Sequence, residues 1–119
     1  MLMARSGPGV NRTSYDAIEV GMAEADVVTI LGVLPGDYVI GKPKVAMHSG
    51  LNLIVPMAID DFRRHRKEVF RPTLREWYTN TGVIIIDLGD DNRVRSRVFF
   101  SVIPEQKSLW RVAREWLGW

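Results

Sequence analysis

Three runs of β-branched and aromatic residues between positions 73 and 101 constrain the fold of this chain more than any other feature. Residues 80–82 (Asn-Thr-Gly) separate the first two runs, and residues 89–92 (Gly-Asp-Asp-Asn) separate the last two. Glycine, asparagine and aspartate tolerate the positive φ angles that tight hairpins need. The middle run, Val83–Leu88, is almost entirely apolar, as in a strand with both faces covered. The sequence therefore predicts a three-stranded antiparallel meander.

The last of these runs is expected to divide its side chains between two faces, because successive residues of a strand point in opposite directions. The arginines on one face are interpreted as protection of a sheet edge against aggregation. One face is predicted to carry Val94, Ser96, Val98 and Phe100, and the other Arg93, Arg95, Arg97 and Phe99.

The N-terminal region carries the patterns of two short helices. Thr13 or Ser14 can cap the first helix. The second helix is predicted over residues 23–31, because its apolar positions repeat at helical spacing and Gly32 is a natural C-terminal stop. A short strand is then predicted over residues 37–40.

Residues 41–71 show the weakest pattern and are interpreted as an insertion into the domain. A short apolar run at residues 51–55 fits either a strand or a covered loop. Pro56 is predicted in the first turn of a helix that continues to about Val69, since proline is tolerated at that position.

The C-terminal residues have the pattern of an amphipathic helix. Ser108 can cap it, and the apolar side chains of residues 109–117 fall on one face. The predicted fold class is therefore α+β, with two short N-terminal helices packed on a three- to four-stranded antiparallel sheet and a C-terminal amphipathic helix. Residues 1–10 are predicted to be a disordered leader, and residues 11–119 a single domain.

Length and composition exclude several classes of protein. A chain of 119 residues supports one hydrophobic core. Its net charge of +2, from 16 basic and 14 acidic residues, is too small to indicate a nucleic-acid binder by itself. The absence of cysteine excludes disulfides and Cys-ligated zinc. No apolar run approaches the roughly 18 residues of a membrane span, and no signal peptide or lipidated Cys is present, so we expect a soluble protein, in the cytoplasm rather than the envelope.

Two stretches resemble a known family. Residues 18–32 (Ile-Glu-Val-Gly-Met-Ala-Glu-Ala-Asp-Val-Val-Thr-Ile-Leu-Gly) resemble the start of the SmpA/OmlA domain, although Ala23 stands where that family usually has a capping Ser or Thr. Residues 76–78 (Glu-Trp-Tyr) and the hairpin at 82–95 are similar to the family's aromatic strand and its acidic turn. The β-lactamase inhibitor protein has a similar repeat. The chain most resembles short soluble bacterial proteins of this kind.

The resemblance implies two short helices on an antiparallel sheet and a non-catalytic protein-interaction module, without assigning a specific role. Exposed aromatic side chains would suit contact with another protein or with a second copy of the chain. For the C-terminal helix, the alternative interpretation is that Trp116 and Leu117 close the core and leave Trp110 and Trp119 partly exposed. The predicted interaction residues are Trp77, Tyr78, Phe99, Trp110 and Trp119.

The densest cluster of basic residues gives an alternative function, binding to nucleic acid or to an anionic surface. A solvated helix face, its charge offset by Asp60, Asp61 and Glu68, is the simpler interpretation of the same residues. Convergence with the strand arginines would strengthen the anion-binding hypothesis. The candidate anion-binding residues are Arg63, Arg64, Arg66, Lys67 and Arg71.

No constellation of residues points to catalysis, a cofactor or a metal. Asp60 and Asp61 are adjacent, and neighbouring residues on a helix point apart. His48 and His65 lack a second ligand at helical spacing. The sequence therefore predicts a protein that is not an enzyme, with no cofactor and no metal site.

Overall fold

The computed structural model describes residues 9–48, 50 and 53–104. The predicted α+β class is confirmed. The predicted C-terminal helix over residues 109–117 lies outside the described residues, as do residues 1–8 of the predicted leader. In chain order the elements are α1 (Arg12–Asp16), α2 (Glu24–Leu31), β1 (Gly36–Asp37), β2 (Lys44–His48), β3 (Ile54–Ala58), α3 (Ile59–Glu68), β4 (Leu74–Tyr78), β5 (Val83–Leu88), β6 (Val94–Phe100) and β7 (Val102–Ile103).

The described strands form two sheets. The predicted meander is confirmed as β4, β5 and β6, and β1 extends it to a four-stranded sheet in the order β1-β4-β5-β6. Strand β1 runs parallel to β4 and is shorter and earlier than the strand predicted over residues 37–40. The segment predicted as an insertion supplies two strands of a second, antiparallel sheet in the order β3-β2-β7.

One face of the four-stranded sheet is covered by α2, and Tyr15 of α1 packs against the same cluster. Val27 and Leu31 of α2 pack against Trp77 of β4 and against Ile84 and Ile86 of β5. Val10 is fully buried in the same cluster, and its carbonyl accepts a hydrogen bond from the Thr81 hydroxyl. The predicted boundary of the disordered leader at residue 10 is therefore wrong, because Val10 belongs to the folded domain.

The other face of this sheet is covered by α3 and the second sheet. Phe62 of α3 and Val45 of β2 pack against Tyr78 and Val83. Every residue of Val83–Leu88 is consequently buried, which confirms the prediction that both faces of this strand are covered.

The caps of the N-terminal helices differ in quality. Asn11, rather than Thr13 or Ser14, caps α1, and its Oδ1 accepts a hydrogen bond from the Ser14 amide at 3.0 Å. Helix α2 begins after Ala23, whose methyl group offers no acceptor. It ends at Gly32, whose φ of 80° is the left-handed conformation that favours glycine.

The predicted position of Pro56 in a helix is wrong, because this residue lies in β3 and α3 begins at Ile59. The Ala46 amide donates to the Ser101 carbonyl at 2.9 Å, so Ala46 points its backbone groups away from β3. Pro56 pairs with Ala46 and therefore occupies a position without ladder hydrogen bonds to β2. A proline nitrogen directed outwards is compatible with an edge strand.

The predicted alternation of the last strand is wrong at its start. Asp87 pairs with Ser96 whereas Leu88 pairs with Val94, which leaves Arg95 as an extra, bulged residue. The bulge reverses the alternation, so Val94 is buried in the same cluster against which Phe99 packs.

Candidate functional site

Two of the predicted interaction residues are buried inside the domain. Trp77 has no exposed surface, and its Nε1 donates to the Val33 carbonyl at 3.0 Å. Tyr78 is 8% exposed. The prediction that these side chains are exposed is wrong, because β4 is flanked by two strands and covered on both faces.

The remaining predicted aromatic residues fall into two groups. Phe99 is half-buried, and its ring centroid lies 5.5 Å from that of Tyr15 in α1. The Arg97 guanidinium lies 4.3 Å from the Tyr15 centroid, a cation–π distance. Trp110 and Trp119 lie outside the described residues.

The five candidate anion-binding residues form a basic segment, of which Arg63, Arg64, Arg66 and Lys67 lie on α3. Carboxylates neutralise most of its charge. Arg63 donates to Asp37 from Nε at 2.7 Å and from Nη2 at 3.1 Å, and to Asp60 from Nη1 at 2.9 Å. Arg64 pairs with Asp61 at 2.9 Å. A hydrogen bond from Lys42, reinforced by Arg63, lowers the pKa of the Asp60 carboxyl.

Two further basic residues of this segment have partners on the four-stranded sheet. Arg66 lies 3.2 Å from Glu76, and Arg71 lies 3.4 Å from Asp87. Lys67 forms no hydrogen bond or ion pair with any residue in the described ranges. Four of the five candidate anion-binding residues would therefore have to exchange a carboxylate partner for a phosphate, which weakens the nucleic-acid alternative.

The strand arginines do not converge on the basic segment as a group. Arg93 donates to the Gly21 carbonyl and Arg97 to the Tyr15 carbonyl, each at 3.0 Å, on the side of the N-terminal helices. Arg95 alone reaches the other side, where it joins Arg71 at Asp87.

A groove of about 720 Å³ separates α3 from the open half of β4. Strand β1 pairs with only the last two residues of β4, so the first three have no strand neighbour on that side within the described residues. The groove is lined by Pro35, Asp37, Arg63, Arg66, Lys67, Phe70, Leu74, Arg75, Glu76 and Tyr78.

Glu76 connects both walls of this groove. It accepts hydrogen bonds from Arg66 and from the Tyr78 hydroxyl. Burial, followed by the nearby Glu76 carboxylate, raises the pKa of Tyr78 above its usual range, so the phenol stays protonated at neutral pH. The arrangement therefore ties α3 to the four-stranded sheet.

The edge of the second sheet exposes part of the apolar run at residues 51–55, for which the sequence allowed either a strand or a covered loop. Leu53, Ile54 and Val55 are 59%, 61% and 49% exposed. Strand β2 is the only strand beside β3 in the described part of the chain. Three consecutive apolar residues followed by Pro56 were the available signal, since proline favours edge positions.

Among residues 9–48, 50 and 53–104, no helix is long and apolar enough to cross a membrane. Within the same ranges, no group of three or more His, Cys, Asp or Glu side chains is arranged to hold a metal ion.

Comparisons of the chain with protein-family models, curated proteins and solved structures give no significant match. The SmpA/OmlA resemblance therefore stays a prediction.

Proposed function

We propose that this protein is a non-catalytic protein-interaction module, of the kind that the SmpA/OmlA resemblance implies, and that the edge strand β3 is its contact surface. The observation that supports this most directly is the exposure of Leu53, Ile54 and Val55 on that edge. Contiguous apolar residues on a surface are typical of protein–protein contacts, because their burial against a partner is favourable.

The backbone of β3 favours a contact made by side chains rather than by the addition of a strand. Pro56 points its nitrogen outwards and has no N–H to donate, so the middle of the edge lacks one ladder hydrogen bond. We propose that the partner, another protein or a second copy of this chain, covers one face of this edge and buries the exposed side chain of Ile54.

The C-terminal tryptophans are a second proposed contact. Trp110 and Trp119 follow Pro104, the last described residue, and aromatic side chains contribute strongly to interfaces. Their contribution can be tested separately from that of β3, because Trp110→Ala and Trp119→Ala change no residue of the edge strand.

Substitution of one edge residue tests the proposal. Ile54→Glu places a charge on the contact surface and should reduce self-association or partner binding, measured by light scattering after size exclusion and by cross-linking. Val20→Glu is the matched control, because Val20 is similarly exposed but lies between α1 and α2.

The comparison between these variants decides between the two proposed surfaces. Loss of association in Ile54→Glu but not in Val20→Glu supports the β3 edge. If only Trp110→Ala or Trp119→Ala reduces association, the C-terminal tryptophans are the contact and the edge proposal fails. Equal behaviour of all four variants and the unmodified chain contradicts both proposals.

A further inference from the structure

We propose that the groove between α3 and β4 is a binding site for a small amphipathic anion, a monocarboxylate on an aliphatic or aromatic body. The groove lies apart from the edge strand β3 and involves none of its residues. The proposal therefore stands independently of the interaction surface described above.

The size and walls of the groove fit such a ligand. Its volume of about 720 Å³ falls within the roughly 300–1,000 Å³ of small-molecule sites. Pro35, Phe70 and Leu74 supply apolar walls, and Phe70 is 67% exposed although it is a large aromatic residue. A ligand that covers this ring would remove its apolar surface from water.

The groove stays open because β1, the strand beside it, begins only at Gly36. Pairing of β1 with β4 reaches only Trp77 and Tyr78. Pro35 immediately precedes β1, and a proline has no N–H with which to extend the ladder towards Glu76. The space along the first half of β4 is therefore left for a ligand rather than for backbone.

The charges that line the groove favour an anion. Its lining residues include four basic side chains, Arg63, Arg66, Lys67 and Arg75, and two acidic ones, Asp37 and Glu76. Both acidic side chains are already paired, with Arg63 and with Arg66.

Lys67 is the group that would bind the carboxylate. Arg75 is engaged by Glu24 at 2.9 Å, whereas Lys67 has no hydrogen-bond or ion-pair partner among the described residues. Its ammonium group can therefore donate to a single carboxylate without displacing an existing pair. Phe70 lies three residues further along the chain, just past the end of α3, and also lines the groove, so the ligand's head group and apolar body would be bound side by side.

Octanoate and octyltrimethylammonium are suitable probes, because they share an apolar body and differ in the sign of the head group. Each is titrated below its micelle concentration into ¹⁵N-labelled full chain and followed by amide chemical shifts. We expect saturable binding of octanoate, with the largest shifts at Lys67, Phe70 and Glu76, and no saturable binding of octyltrimethylammonium.

Matched variants then locate the site. Lys67→Gln should weaken octanoate binding roughly ten-fold, because a charge-assisted hydrogen bond is lost. Phe70→Ser should weaken it by a similar factor through lost apolar contact. Arg64→Gln is the control, since Arg64 is on the same helix, pairs with Asp61 and does not line the groove.

Three results would overturn the proposal. The first is no saturable octanoate binding to the unmodified chain. The second is equal binding of the two probes, which would indicate a non-selective apolar surface. The third is equal weakening by Lys67→Gln and Arg64→Gln, which would indicate general charge attraction rather than a site.

Discussion

Arg95 donates a hydrogen bond from Nη2 to Oδ2 of Asp87, 2.7 Å away, across the neighbouring strands β6 and β5. The bulge in β6 makes Arg95 the unpaired residue next to this carboxylate. Thr73 donates to the other carboxylate oxygen at 2.7 Å, and the Asp87 side chain is only 9% exposed. The hydrogen bond from Arg95, followed by that from Thr73, lowers the pKa of Asp87.

This lowered pKa makes stability depend on pH in the acid range. The contribution of Asp87 is fully present above the unfolded-state pKa, about 3.9, and is lost as the pH falls through the lower folded-state value. Asp87→Asn should cost about 1–3 kcal/mol at neutral pH and should flatten the acid decline in the free energy of unfolding. Urea unfolding across the acid range measures both effects. Glu19→Gln, at an exposed position, is the control, and an unchanged acid decline in Asp87→Asn would contradict the expectation.

The uncapped start of α2 offers a stabilising substitution. Ala23 has the extended backbone of an N-cap, with φ of −70° and ψ of 150°. Ala23→Ser should raise the free energy of unfolding by roughly 0.5–2 kcal/mol, because the hydroxyl can accept an orphan amide hydrogen. Chemical denaturation measures the change. Ala25→Ser adds the same hydroxyl inside the helix and should give no gain; equal effects of the two variants would exclude capping as the cause.

Gly82 is required for space rather than for its backbone angle. A Cβ atom at this position would lie 2.6 Å from Cε1 of Phe99. Gly82→Ala should therefore destabilise the domain by about 1–3 kcal/mol through overpacking. The double variant with Phe99→Leu should recover part of this loss, as measured by thermal or urea unfolding. Strictly additive losses would contradict the steric explanation.

The phenol of Tyr78 should remain protonated through the alkaline range in which tyrosine normally ionises. Its burial and its hydrogen bond to Glu76 raise its pKa. The phenolate absorbance of the unmodified chain and of Tyr78→Phe should therefore rise equally with pH until the protein unfolds. A larger rise in the unmodified chain, before circular dichroism reports unfolding, would contradict the burial and pairing of Tyr78.

The parts of the fold that the sequence predicts correctly are those governed by local pattern. The apolar run Val83–Leu88 identifies a strand covered on both faces, and Gly32 marks the end of α2. Asn92, in the second predicted turn, has the positive φ of 61° that its residue type permits. Local pattern fails at Pro56, where a helix start and an edge strand are both compatible with proline and only the pairing with β2 decides between them.

The candidate site was harder to predict because its contacts join residues that are distant in sequence. The basic segment reads as a cationic surface until Asp37 and Glu76 are placed beside Arg63 and Arg66. The groove itself depends on the late start of β1, which no residue pattern on α3 reveals.

The association state of the unmodified chain at low and high salt tests the central claim most directly. The molar mass should be measured by light scattering after size exclusion, on protein freed of nucleic acid. The account predicts a species heavier than the 13.5 kDa monomer that persists at high salt, because apolar contacts are not screened by ions. Association that disappears at high salt would contradict an apolar interaction surface, and a monomer under all conditions would exclude a second copy of the chain as its partner.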